Sequence, residues 1–225
     1  MKSINKKKVL ITGANGLLGQ KLVGFLRLDD SVEVIATGKG PSRLPKKWVG
    51  SYSWVELDIT DRDQVLQVFS ITNPGTVIHT AAMTQVDDCE KDMEGCRILN
   101  VEAVRYLIEA CENNNTHLIH LSTDFIFDGA DGPYTEEAKA NPVNYYGVTK
   151  MEAENLLVQS KIPWAIVRTV LVYGIAEDMS RSNIILWAKD ALQKGSPLQI
   201  VNDQFRAPTW ADDLAWACVR ICELR

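Results

Sequence analysis

A short apolar run, Val9-Leu10-Ile11, leads directly into Thr12-Gly13-Ala14-Asn15-Gly16-Leu17-Leu18-Gly19, after which apolar residues recur at helical spacing through Leu22, Phe25 and Leu26. Strand, glycine turn and helix in that order leave few folds open to a chain. Glycine permits the tight turn and lets backbone N–H groups approach a pyrophosphate at the helix N-terminus. The third glycine lets helix and strand pack closely. The spacing is G-x-x-G-x-x-G rather than G-x-G-x-x-G. Gly13, Asn15, Gly16, Leu17, Leu18 and Gly19 are therefore candidate cofactor-binding residues. A glycine turn with no ligand has the same local sequence, so the rest of the chain must decide.

The rest alternates. Runs at 32–36, 54–57, 77–79, 118–121 and 165–167 read as strands. Between them, 61–70 reads as a helix with Val65, Leu66 and Phe69 inward, and 94–113 as a long helix with Ile98, Val101, Val104, Leu107 and Ile108 inward. A further helix carries Tyr146 and Lys150. The pattern predicts an α/β fold, a doubly wound parallel sheet of Rossmann type with right-handed crossovers and both faces covered. After Arg168 the rhythm changes to a helix at 184–192, a short strand at 198–201 and a helix at 214–221. The expected organisation is a dinucleotide-binding domain over 1–170 and a small substrate-binding portion over 171–225, packed on the sheet's carboxyl edge.

Composition narrows the function. A net charge of −5 over 225 residues gives no electrostatic reason for nucleic-acid or membrane binding, and no run approaches the length of a membrane span. The N-terminus lacks the order of a signal peptide, which leaves a cytoplasmic protein as the expectation. Cys89, Cys96, Cys111, Cys218 and Cys222 lack paired C-x-x-C spacing and read as buried thiols, with no metal set. His79, His117 and His120 lie in or beside apolar runs and are assigned no chemistry.

Two positions speak to chemistry. About 20 residues beyond the turn, where an acid would bind a ribose 2′-hydroxyl, the chain has Thr37-Gly38-Lys39 with Arg43 close behind. Either Lys39 or Arg43 neutralises a 2′-phosphate, favouring NADP(H) over NAD(H), or both are ordinary solvated loop charges. Between Ser122 and Lys150 stand the hydroxyl of Thr123 and then Tyr146 and Lys150 at i, i+4, one helical turn apart on one face. A lysine beside a tyrosine favours the phenolate and lowers its pKa, preparing the phenol to exchange a proton with a carbonyl or alcohol oxygen. Tyr145 lacks that spacing.

These residues give the chain a family resemblance. The glycine turn, Ala81-Ala82-Met83-Thr84-Gln85-Val86-Asp87, Ser122-Thr123-Asp124, Tyr146-x-x-x-Lys150, Arg168-Thr169, Val172-Tyr173 and the stretch from Asn202 to Thr209 resemble the extended short-chain dehydrogenase/reductases, and among them the dTDP-4-dehydrorhamnose reductases. The regulatory subunit of methionine adenosyltransferase shares much of this pattern. The resemblance implies a catalytic set of Thr123, Tyr146 and Lys150, with Tyr146 donating a proton to the C4 oxygen of a keto nucleotide-sugar. It implies that Ala81, Ala82 and Met83 line the cofactor's path, that Asp58 and Ile59 sit beside the adenine, and that Lys150 binds the nicotinamide ribose. Thr84, Val86, Thr123, Asn183 and Arg206 are the implied substrate contacts, and Asn100 either ties its helix to the active-site strand or makes a simple internal contact. Leu171 stands where rhamnose-forming reductases carry a tryptophan that helps hold the sugar. The chain stops at Arg225, where family members continue, so a shortened substrate-binding portion is expected. A homodimer is compatible with this pattern. Two rival activities remain: an epimerase or dehydratase with tightly held NAD, and a nucleotide-binding regulatory subunit without turnover.

Overall fold

The computed structural model describes residues 6–179, 183–204 and 206–224. The glycine turn hands β1 (Lys7–Thr12) to α1 (Leu17–Leu26). β2 (Val32–Gly38) and β3 (Ser53–Glu56) are joined through one 3-10 turn at Lys46–Trp48. Then come α2 (Arg62–Thr72), β4 (Thr76–His79), α3 (Val86–Lys91), α4 (Met93–Arg97), α5 (Ala103–Asn114), β5 (His117–Thr123), α6 (Tyr145–Gln159) and β6 (Trp164–Thr169). The chain continues through β7 (Val172–Tyr173), α7 (Ile184–Gln193), β8 (Thr209–Trp210) and α8 (Ala211–Glu223). Six strands form one parallel sheet in the order β3-β2-β1-β4-β5-β6. Strand order reverses between β1 and β4, so their carboxyl ends open a crevice. The fold is the doubly wound, Rossmann-type α/β sheet that the sequence predicts.

Pleating sends alternate side chains to opposite faces. Leu10, Ile35, Val77 and Leu118 join one layer with Phe69, Leu107 and Leu157 from α2, α5 and α6. Val9, Ile11, Val34, Ile78 and Ile119 join the other with Leu22 of α1 and Leu214 and Cys218 of α8. Coverage on both faces explains why the central strands read as near-continuous apolar runs. Each fully buried leucine or isoleucine contributes about 1.5–3 kcal/mol.

Four elements depart from the sequence expectation. The long helix after β4 contains a π-helical turn, Ile98–Glu102, between α4 and α5. The wider turn shifts the periodicity, so Ile98 faces outward at 38% exposure while Asn100 is buried at 1%. Residues 198–201 form no strand, and Ile200 and Val201 are exposed with no sheet edge to pair with. β7 and β8 instead form a separate two-stranded parallel sheet, each strand too short to leave a periodic signal. Finally, α8 does not cap the carboxyl edge. It lies beside α1 on a sheet face, with Leu214, Ala215 and Cys218 buried and Asp212 paired to Lys21 at 3.0 Å.

Candidate active site

The crevice is lined first by the glycine turn. Gly13 has φ +67°, and a Cβ there would sit 2.8 Å from the Ala81 backbone nitrogen. A Cβ on Gly19 would strike the Gly13 carbonyl and lie 2.6 Å from Ala14 Cα. Both positions thus require glycine, one for conformation and closeness to the loop after β4, the other for packing of α1 on β1. Gly16 begins α1 with no side-chain cap and no acid in the first turn, so the orphan N–H groups and positive helix end face the crevice. Asn15 fixes the neighbouring loop: its Nδ2 donates to the Pro41 carbonyl at 3.0 Å, and Arg43 N donates to its Oδ1 at 2.7 Å. Leu17 and Leu18 are half-buried behind it. This cradle suits a dinucleotide's pyrophosphate.

At the far end of β2, Lys39 Nζ meets Asp58 at 2.7 Å. Burial pushes the Asp58 carboxyl up, but hydrogen bonds from Lys39 and Thr60 outweigh it and hold the pKa below the usual range. Gly40 N donates to Glu56 Oε1 at 3.2 Å. No carboxylate follows β2 in sequence, yet two acids arrive there from the end of β3. Lys39 keeps 81% side-chain exposure and Arg43 is half-buried on the same loop; Ile59 is buried at 5%.

The wall that carries the candidate catalytic residues is built by β5 and α6. Asn144 caps α6 through its side chain, accepting from Gly147 N at 2.8 Å. Gly147 presses against the Phe125 carbonyl, where a Cβ would overlap, and this closeness brings α6 onto the end of β5. Thr123, Tyr146 and Lys150 come together there at 4%, 8% and 2% exposure. The Tyr146 phenol lies beside the Thr123 hydroxyl, which accepts from Phe125 N and donates to Asp124 Oδ1, both at 3.2 Å, and its ring packs edge-on against Phe125. Lys150 Nζ donates to the Leu121 carbonyl at 2.6 Å and lies 3.0 Å from His120 Nε2. One turn further along α6, Glu154 accepts from Ser122 at 2.5 Å and from both Nε and an NH2 of Arg168, at 3.1 and 2.7 Å. Asn100 pairs with Met83 through both backbone groups, at 2.8 and 3.0 Å, and donates to Thr149 on α6 at 3.1 Å. The π turn therefore ties the loop after β4 to α6.

The expected lowering of the tyrosine pKa is not what this geometry gives. Burial pushes Tyr146 up to about 12, the neighbouring Thr123 hydroxyl opposing it only in part. Lys150 spends its ammonium on β5, and burial lowers it to about 8. Desolvation outweighs proximity.

Around this wall the candidate substrate contacts are looser. Val86 and Met83 pack in one cluster with Tyr146 and Phe125, while Thr84 is exposed on the loop between them. Arg206 lies over the Phe125 ring at 4.8 Å and 3.8 Å from Asp124, next to Thr123. Asn183 is occupied by structure, its Nδ2 donating to Gly174 O at 2.8 Å and its Oδ1 capping α7 at Leu186 N. Phe205, in the loop read as a substrate segment, lies outside the described residues. Leu171 has φ +39°, a left-handed conformation uncommon for leucine, and is 37% exposed.

A model of the family described as the RmlD substrate-binding domain matches residues 7–225. The chain belongs to that family. It is 32% identical over 217 residues to a dTDP-4-dehydrorhamnose reductase of Aggregatibacter actinomycetemcomitans, covering 96% of this chain and 67% of the relative. It is 29% identical to methionine adenosyltransferase 2 subunit beta of Xenopus tropicalis, covering 99% and 64%. A solved dTDP-4-dehydrorhamnose reductase of Bacillus anthracis in complex with NADP superimposes with TM-score 0.82 at 29% identity, covering 96% of this chain and 70% of that one. The chain thus spans about two thirds of the length of the curated relatives it matches.

Sequence reasoning about this RmlD-family chain missed His120, His79 and Glu154. Glu154 was within reach, since it continues the Tyr146, Lys150 spacing by another four residues on the inner face of α6. The histidines carried no such signal, because a polar residue inside an apolar strand reveals its partner only once the helix above it is placed. Among the described residues there is no group of three or more His, Cys, Asp or Glu placed to hold a metal, and no helix is long and apolar enough to cross a membrane.

Proposed function

We propose that this chain carries the NADP(H)-dependent reduction of a 4-keto nucleotide-sugar, with Tyr146 as proton donor. The observation that supports this best is the buried hydroxyl pair of Thr123 and Tyr146 above Lys150, at the carboxyl end of β5 beside the uncapped N-terminus of α1. Gly13, Asn15, Gly16, Leu17, Leu18 and Gly19 would hold the pyrophosphate, Lys39, Arg43, Asp58 and Ile59 the adenosine end, and Ala81, Ala82 and Met83 the path between. When bound, a reduced nicotinamide supplies the hydride for the new C–H bond. Tyr146 gives its proton to the carbonyl oxygen, and its raised pKa keeps the phenol protonated until then. Thr123 donates a second hydrogen bond to the same oxygen, and the Lys150 ammonium stabilises the phenolate left behind. Arg206 and Val86 face the sugar. The proposal assigns cofactor binding to residues 1–170, from which Val86 and Thr123 also reach the substrate, and the remaining substrate contacts to 171–225, whose α8 packs on the first part. NADP(H) is favoured over NAD(H) by Lys39 and Arg43 and by the NADP bound to the Bacillus anthracis relative, although Lys39 shares its charge with Asp58.

A second reading, a nucleotide-binding regulatory subunit, draws on the 99% coverage by the methionine adenosyltransferase subunit. The two separate in one assay: oxidation of NADPH and of NADH with a dTDP-4-keto-6-deoxy-sugar. Consumption of NADPH supports the reductase. Cofactor binding without turnover across a panel of keto-sugars, together with a stable complex with a partner enzyme, supports the other.

A further inference from the structure

His120 is completely buried on β5, three residues before Thr123. Its Nε2 faces the Lys150 ammonium at 3.0 Å, and an ammonium can only donate, so Nε2 must accept. The ring proton then sits on Nδ1, which is buried and has no hydrogen-bond partner among the described residues. Buried polar groups are seldom left so, and an apolar side chain here would leave no such group. The ring is held from behind. His79 on β4 stacks on it, centroids 5.3 Å apart at 25°, and Thr12 at the mouth of the glycine turn fixes His79 through Nδ1 at 2.7 Å.

We propose that His120 is a positioning residue: its neutral imidazole accepts from Lys150, holds that side chain along β5 one turn below Tyr146, and keeps the ammonium charged in a dry site. The inference rests on the reading that Lys150 serves the reaction. The titratable groups facing Lys150 are His120 on β5, His79 on β4 behind it, Cys96 on α4 and Glu154 on α6. Burial, with the charge of Lys150, keeps both histidines neutral through the working range. Lys150 is therefore the group that changes state near neutrality. Removing its acceptor disfavours the ammonium and lowers its pKa further, so the alkaline limb of function moves to lower pH.

Two measurements test this. Long-range ¹H–¹⁵N correlation of the histidine rings in the protein without added ligand should show His120 neutral with its proton on Nδ1 from pH 6 to 9, and its Nε2 resonance should move in Lys150→Met. A proton on Nε2 overturns the proposal without touching the proposed reaction. The pH dependence of NADPH binding and of turnover is then compared in wild type, His120→Leu and His120→Gln. The limb should fall by roughly one pH unit in His120→Leu, the scale of one hydrogen bond to a charged group, and return towards wild type in His120→Gln, whose amide oxygen can accept. Equal loss in both variants with the limb unmoved would show a packing role only and overturn it. If wild type neither binds NADPH nor turns over keto-sugar, the reductase reading fails, while the ring tautomer still decides whether His120 holds Lys150.

Discussion

The wall made by β5 and α6 and the segment between β6 and α8 are built on different terms. In the wall, Thr123, Tyr146, Lys150 and Glu154 are nearly sealed from solvent, Lys150 is fixed by β5, and Glu154 is fixed by Ser122 of β5 and Arg168 of β6. In the segment, α7 buries no residue, and Ile184, Ile185, Trp187, Ile200 and Val201 are exposed; several of them line an open cavity of about 480 Å³ with Gln199. The wall is over-determined by its hydrogen bonds. The segment is loosely packed and open, the terms on which surface loops differ between proteins that share a scaffold.

The sharpest test of the wall is Tyr146→Phe. It removes the proposed proton donor and keeps the ring's packing against Phe125, so turnover should fall about 10²–10⁴-fold while NADPH affinity stays within a few-fold. Steady-state rates and cofactor fluorescence read the two separately. Equal loss of both would mean that the ring shapes the cofactor site rather than supplying a proton.

A smaller effect follows from the buried lysine. Lys150 has a pKa of about 8 in the folded chain against an ordinary 10.5, so between those values the unfolded state binds more protons. Its contribution to stability therefore rises with pH across that window, by about 3 kcal/mol in all, and is lost as pH falls to 8. The buried thiols of Cys89, Cys111, Cys218 and Cys222, all pushed up by burial, pull the other way above about pH 9. The readout is thus the difference between wild type and Lys150→Met in denaturant melts. Relative to the variant, wild type should gain stability from pH 8 to 10; a constant difference would place the lysine in contact with water.

Glu154→Ala probes the wall away from the proton donor. It strands Arg168 against Phe127, and because that guanidinium keeps 28% exposure the loss should be about 2–3 kcal/mol, below the 3–5 typical of fully buried pairs. In a chain of this size that lowers the melting temperature by roughly 5–10 °C.

What could be read from the sequence divides along the same line. The parallel sheet and the glycine cradle follow from the apolar runs, the glycines and the alternation of strand with helix, while the strand order β3-β2-β1-β4-β5-β6 needed the structure. Tyr146 and Lys150 could be read because a helix converts spacing into proximity. The tyrosine's pKa could not, since its sign depends on where the Lys150 ammonium ends up, and β5 claims it. Ile98 was misplaced because a π turn adds a residue that no 3.6-residue pattern contains. Residues 198–201 look like a strand by side chain alone, but a strand exists only with a neighbour, and β7 pairs with β8 instead. The nearness of Glu56 and Asp58 to Lys39 depends on the register of β2 with β3, which joins Gly38 to Glu56 and cannot be read from either strand.

The mildest substitution tests the contrast most directly. Ile119 lies in the sheet at 0% exposure and Ile200 in the segment at 62%. Removing one methyl group by Ile→Val should cost about 0.5–1.5 kcal/mol at 119, where close packing leaves a void, and fall within about 0.5 kcal/mol of zero at 200. Thermal melts of the two variants measure this on identical chemistry. A comparable loss at both positions would mean that Ile200 is covered in solution, by a second copy or another chain. The segment would then be an interface with that partner, rather than a loosely packed surface open to solvent.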